Sequence, residues 1–372
     1  MLEPNAMPEP SSRPLEFGWY LPTHGDTTVF NDPAAEIPPS LELFERVVAA
    51  AENAEFEYLL IPVGVTCWEA YMAGAYMAAR SSRIRPLIAA RPGYINPVML
   101  AKMISTLDHL SRGRIAVNLI AGQNEADVEA EGVTLGKAER YDLMAEEVDI
   151  LKALWTAEGP IDFDGRFHKL KGAQIRPRAF QQPHPRFYLG GGSAQAWDIS
   201  ARHSDVHLFW GDTPERIAAN ITDIRARAAD HDRAGKIGFG MRLQIICREK
   251  EDEAWSAAEA LVATATDQDR ERVIQRTVTS EANRRIQELA REKGPHIAPN
   301  LWSGLTRVRQ GAGIAIVGDP GQCAGVIQRF IEAGCHSFCL SGYTHDAEAV
   351  RFGRLVRPLI AARNPNRMPA AA

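Results

Sequence analysis

The chain has 372 residues, 45% of them apolar and 24% charged, with a formal net charge of −5 at pH 7. These are the proportions of an ordinary globular protein with material for a large core, which excludes wholesale disorder. The acidic balance argues against nucleic acid or an anionic membrane as partner, and leaves room only for a local basic pocket holding a small anion.

Residues 1–14, within MLEPNAMPEPSSRPLE, have no signal-peptide apolar stretch and read as a loose tail. The longest strongly apolar run, YLLIPVGV at 58–65, is too short to cross a bilayer. The five cysteines (67, 247, 323, 335 and 339) lack a metal-type paired spacing, and no metal site is expected. Reduced thiols in the cytoplasm are the simplest reading.

Strand-like and helix-like runs then alternate. A strand is predicted over Leu15–Leu21, then an amphipathic helix over Leu41–Ala54 with Phe44, Val47, Val48 and Ala51 on one stripe. Tyr58–Pro62, Ile84–Ala90 and Ile115–Ala121 read as strands, separated by helices at Glu69–Arg80 and Pro97–Leu110. A helix over Lys137–Trp155 leads to a strand at Phe187–Gly190, a helix at Ala194–Arg202 and a strand at Val206–Trp210. Thr213 is a good N-cap for the helix that follows. The seventh strand is GFGMRLQIIC at 238–247, and the eighth is Ser337–Gly342. This alternation predicts one closed parallel (β/α)8 TIM barrel over 15–363 in preference to a doubly wound sheet, with a tail from 364 to 372.

Two segments break the rhythm. Phe163–Phe180 reads as a hairpin-like excursion. Between the seventh and eighth strands lies an insertion from about Thr266 to Ala312, with 12 charges among the 25 residues from Asp269 to Lys293. It is either a solvated surface helix or a mobile lid over the barrel mouth.

In a parallel barrel the site lies where strands end, and these ends are polar. They carry His24, Cys67, Asn118, Trp210, Tyr343 and His345, and the nearby TRVRQGAG carries Arg307 and Arg309. A lone histidine or cysteine at a strand end is more often packed than catalytic, so their convergence is the informative point. Arg242 is harder to dismiss. It shares a parity with Gly240 and Gln244 inside an apolar strand, and desolvation demands an anionic partner for it. The turn LGGGSAQAWD puts Gly191, Gly192 and Ser193 before a helix, where free N–H groups and the helix dipole suit a phosphate. No GxGxxG follows a strand and no P-loop occurs, so neither nucleotide fold is supported.

LPTHGD, RGRIAVNLIAG, AERY (138–141), YLGGGS, FWGDTPE, FGMRLQIICRE, APNLW (298–302), RQGAGIAIVGDP and LSGYTH together resemble the flavin-dependent alkanesulfonate monooxygenases of the bacterial luciferase-like superfamily. That resemblance runs in order along nearly the whole chain after residue 14. It implies a two-component system in which an NAD(P)H-dependent flavin reductase supplies FMNH2. The monooxygenase then uses it with O2 to cleave a C–S bond of a sulfonate, giving an aldehyde and sulfite. Carried over, His24, Cys67, Trp210, Arg242, Arg309, Tyr343 and His345 form the active-site set. Asn118, Tyr141, Gly191, Gly192 and Ser193 become flavin and phosphate contacts.

Where the family's alkanesulfonate members carry a histidine two residues after the strand arginine, this chain has Gln244. A neutral amide beside Arg242 suits a hydroxylated sulfonate such as sulfoquinovose, with His24, His345 and Trp68 as further contacts and Arg307 and Arg309 as cations. A linear alkanesulfonate or methanesulfonate monooxygenase, a sulfone monooxygenase, a deazaflavin-dependent dehydrogenase and an FMN-binding barrel without turnover are the alternatives. A homo-oligomer, dimer or tetramer, is the expected assembly.

Overall fold

The structure, a computed structural model, describes residues 12–122 and 124–369. Most of the expected amino-terminal tail, and residues 370–372 of the carboxy-terminal one, therefore lie outside the described residues.

Eight parallel strands close into a barrel: β1 (Glu16–Tyr20), β2 (Tyr58–Ile61), β3 (Arg85–Ala90), β4 (Ala116–Leu119), β5 (Arg186–Gly190), β6 (Val206–Trp210), β7 (Gly238–Cys247) and β8 (Ser337–Ser341). Their order around the barrel is β6-β5-β4-β3-β2-β1-β8-β7, and the β6–β7 pairing closes the ring, with Trp210 level with Arg242. This is a (β/α)8 barrel, as the alternation predicted.

The strand period of two sorts side chains between two cores. Phe17, Trp19, Leu59, Ile61, Met241, Leu243 and Ile245 face outward and pack under the helices. Tyr58, Leu60, Leu87, Tyr188, Leu208 and Cys339 fill the barrel interior. The helices follow local rules. Leu41–Asn53 begins at Ser40, whose hydroxyl accepts the Leu43 N–H at 3.1 Å, and it buries the predicted Phe44, Val47, Val48 and Ala51 stripe. Burying such a side chain contributes about 1.5–3 kcal/mol. Glu16 seals the barrel floor between Arg85 at 3.3 Å and Arg186 at 3.1 Å. Burial raises its pKa, but the two guanidiniums more than reverse this and hold it well below the usual carboxylate range.

β7 is buried along its ten residues and does two jobs. Gly240–Gln244 pair with β8, and Gln244–Cys247 pair with a further strand, Ala315–Gly318, which the sequence pattern had not separated. A glycine is required at 240, because a Cβ there would lie 2.3 Å from the Ser337 carbonyl oxygen.

The excursion near 163–180 is a two-stranded antiparallel unit, Ile161–Asp164 with Lys169–Ala173. Glu146 anchors its turn by accepting the N–H groups of Arg166, Phe167 and His168 at 2.6–3.0 Å. The insertion comprises helices Asp267–Arg276 and Glu281–Lys293, then strands His296–Ala298 and Leu301–Trp302, which extend the sheet from Ala315–Gly318. Its second helix buries Ile286 and Leu289, so it is packed and not merely solvated. Among the described residues no helix is long and apolar enough to cross a membrane.

Candidate active site

The carboxyl ends of the strands open into a cavity of about 560 Å³. Of the residues expected there, His24, Cys67, Trp210, Arg242, Arg309 and Tyr343 line it on one side, and Asn118, Tyr141, Gly191, Gly192 and Ser193 on the other.

Arg242 is 6% exposed and points into the barrel, its guanidinium 5.0 Å over the Tyr20 ring. One terminal nitrogen donates to the carbonyls of Leu243 at 3.0 Å and Cys339 at 3.5 Å. Arg309 reaches the cavity from the end of the insertion, donates to the Ala312 carbonyl at 3.3 Å and lies 5.9 Å over the Tyr343 ring. Neither arginine has a carboxylate partner among the described residues.

The groups around these cations are held neutral. Burial raises the Tyr343 phenol, against the lowering effect of Arg309, so it remains a donor near pH 7. Burial likewise raises the Cys67 thiol. His24 lines the cavity with an exposed side chain. The protein around it, then His345 and Arg309, lower its pKa, leaving a neutral ring.

The opposite wall is polar. Asn118, on β4, is 7% exposed, and its amide makes no hydrogen bond to another described residue. Ser193 caps helix Ala194–His203, accepting the Ala196 N–H at 3.2 Å, and its side chain lies beside the Tyr141 hydroxyl. Gly191 must be small. A Cβ there would stand 2.8 Å from the Ala196 Cβ and 3.5 Å from the Tyr141 oxygen. Its carbonyl is fixed by the Trp197 indole N–H at 3.1 Å, and the first N–H groups of the helix remain free at the turn. An amide open to the cavity and a turn that a methyl group would crowd therefore stand together in this part of the lining.

Four expected residues do not reach the cavity wall. Gln244 shares the parity of Arg242 but lies where β7 leaves the barrel. Its amide nitrogen donates to the Ala312 carbonyl at 3.1 Å and its oxygen accepts from Ser341 at 2.6 Å. An amide so engaged has no need of a hydroxylated ligand. His345 is buried behind Tyr343. Its backbone N–H donates to Asp26 at 2.7 Å, and its Nδ1 lies 3.0 Å from the same carboxylate without the alignment of a hydrogen bond. Trp68 is 43% exposed and packs edge-on against Phe44. Arg307 donates to the Ala265 carbonyl at 3.2 Å and braces the insertion.

Further lining residues were missed, among them Tyr20, Arg91, Lys137, Arg272 and Arg276. Tyr20 ends an apolar strand and reads as core, and the four cations read as surface charges. With them the lining holds six cations and three carboxylates, three net positive charges in an acidic protein. That balance matches a phosphate dianion together with a monoanion.

Comparison with known proteins agrees with this architecture. A crystal structure of riboflavin lyase with modified FMN and riboflavin superposes with a TM-score of 0.78 at 18% identity, over 95% of this chain and 92% of that one. Long-chain alkane monooxygenase gives 0.78 at 18% identity over 97% and 94%. EDTA monooxygenase from Chelativorans sp. BNC1 gives 0.76 at 18% identity over 96% of both chains. At this identity the superpositions carry the fold. The sequence profile described as luciferase-like monooxygenase matches residues 15–337. With that match spanning the barrel from β1 to the start of β8, the chain belongs to the luciferase-like monooxygenase family.

Proposed function

We propose that this protein is a two-component flavin monooxygenase that cleaves the C–S bond of an organosulfonate. The sulfonate, O2 and FMNH2 would give an aldehyde, bisulfite, FMN and water, with a separate NAD(P)H-dependent reductase regenerating FMNH2. The observation that carries this reading is the pair Arg242 and Arg309, two guanidiniums facing one cavity without carboxylate partners.

Asn118, Tyr141, Ser193 and the Gly191–Gly192 turn would hold FMN. When bound, reduced FMN supplies the electrons and the activation of O2. The chain itself does the rest. Arg242 has roughly three N–H groups left for an anion, in a fixed plane and charged at any working pH. Arg309 supplies the second cation, and Tyr343 a neutral donor beside it. His24 is placed to take a proton as charge moves off the carbon. Phe30, Leu208 and Val308 add apolar surface to the lining. Since Gln244, Trp68 and His345 lie outside it, the lining suits an alkyl chain better than a sugar, and an alkanesulfonate moves ahead of sulfoquinovose.

The test is sulfite release with FMN, NADH and a generic flavin reductase, using octanesulfonate, methanesulfonate and sulfoquinovose. Sulfite from at least one sulfonate is expected. A protein that purifies yellow, holds oxidised FMN tightly and releases no sulfite would be a flavin carrier instead.

A further inference from the structure

The insertion touches the barrel at a contact that the proposed function leaves unused. Lys137 opens helix Lys137–Thr156 and Tyr141 follows one turn later, so both side chains leave the same helix face, and both line the cavity. The Tyr141 hydroxyl lies beside Ser193. The Lys137 ammonium donates to the carbonyl of Thr279, the residue before Ser280, which caps helix Glu281–Lys293. That helix start lies directly over the glycine turn, for a Cβ on Gly192 would stand 3.4 Å from the Ala282 nitrogen. Lys137, the insertion's helix start, Gly192 and Ser193 therefore form one contiguous cluster at the mouth.

Lys137 is half-buried and has no carboxylate within ion-pair distance among the described residues. Burial lowers its pKa, against the raising effects of Glu125 and Glu281. Both of those acids are engaged elsewhere, Glu125 by Arg140 at 2.7 Å and Glu281 by Arg284. An ammonium has three N–H groups, and the Thr279 carbonyl takes one of them.

We propose that Lys137 is a ligand of the phosphate of the bound flavin and, through the same ammonium, the latch that holds the insertion over it. The proposal rests on the flavin reading above. A dianion beside Lys137 supplies the counter-charge the site lacks, keeps the ammonium protonated and fixes it in place beneath the Thr279 carbonyl. Closure of the insertion is thereby coupled to the phosphate and not to the flavin ring. Riboflavin, which fills the ring site alone, leaves the latch weak.

The experiment measures binding of FMN and riboflavin to the wild-type protein, Lys137→Met and Lys137→Arg, with limited trypsin digestion of segment 266–282 in parallel. In the wild type, FMN should bind about tenfold more tightly than riboflavin and should alone protect the segment. Lys137→Met should lose about tenfold in FMN affinity, the size of one charge-assisted hydrogen bond, with riboflavin unchanged and protection abolished. Lys137→Arg should restore both. Equal losses for the two flavins, or undiminished FMN protection in Lys137→Met, overturn the latch and leave the flavin assignment standing. If the wild type binds neither flavin, the flavin assignment itself falls and takes the latch with it.

Discussion

Arg242→Met separates function from stability. The substitution removes a guanidinium that is 6% exposed, sits over Tyr20 and meets only two backbone carbonyls. Two of its remaining N–H groups on a sulfonate amount to about 3–6 kcal/mol at 1.5–3 kcal/mol for each charge-assisted bond, or roughly 10² to 10⁴ in kcat/KM. The free protein responds in the opposite direction. A buried cation with no carboxylate carries an uncompensated desolvation cost, so a methionine of similar length should stabilise the fold by about 1–4 kcal/mol and raise Tm by about 1–5 °C. Sulfite release and thermal denaturation of the same preparation read both quantities. A kcat/KM within about threefold of wild type, or a Tm that falls by several degrees, would refute the assignment of Arg242 to an anionic substrate.

Gly191→Ala forces a Cβ to 2.8 Å from Ala196 and should weaken FMN binding by about 1.5–3 kcal/mol. Riboflavin should lose less, and equal losses would contradict a phosphate at this turn. Gln244→Leu strands the Ser341 hydroxyl and the Ala312 carbonyl, at a cost of about 1–3 kcal/mol in urea unfolding. The kcat/KM ratio between octanesulfonate and sulfoquinovose should not move, and a shift in that ratio would return Gln244 to the substrate. Acid should destabilise the fold through His207 and His336, which burial pushes from 6.5 to about 3 and about 4. The unfolded chain takes up these protons near pH 6.5 and the folded one does not. Their contribution is therefore complete above 6.5 and lost as the pH falls, by about 3 kcal/mol each at pH 4. Urea midpoints at pH 7 and 4.5 test this, with His336→Gln expected to shrink the difference.

Much of the barrel and half of its site were legible from periodicity. An arginine on one parity of an apolar strand announces a cavity, and β7 shows it. A glycine run between a strand and a helix cap points to a site, and residues 190–193 do line the cavity. Parity gives a side chain's face but not its depth. Gln244 faces as Arg242 does, yet β7 has exchanged β8 for Ala315–Gly318 at that level. His345 is turned aside by Asp26, a partner 319 residues away that no local pattern indicates. Lys137, Arg272 and Arg276 read as solvated charges because the surface they cover is created only when the insertion folds back on the mouth.

The segregation of charge has a kinetic consequence. With three net positive charges in the cavity lining, the rest of the chain carries −8 against a total of −5. Beyond a Debye length of about 8–10 Å at physiological salt, a small anion meets little field. At lower ionic strength it meets the repulsive exterior before the attractive mouth. Added salt relieves the first and weakens the second, so the association rate constant for an anion should climb with ionic strength while the equilibrium affinity falls. The dissociation rate then rises faster than either, and the site empties more readily in strong salt than it fills.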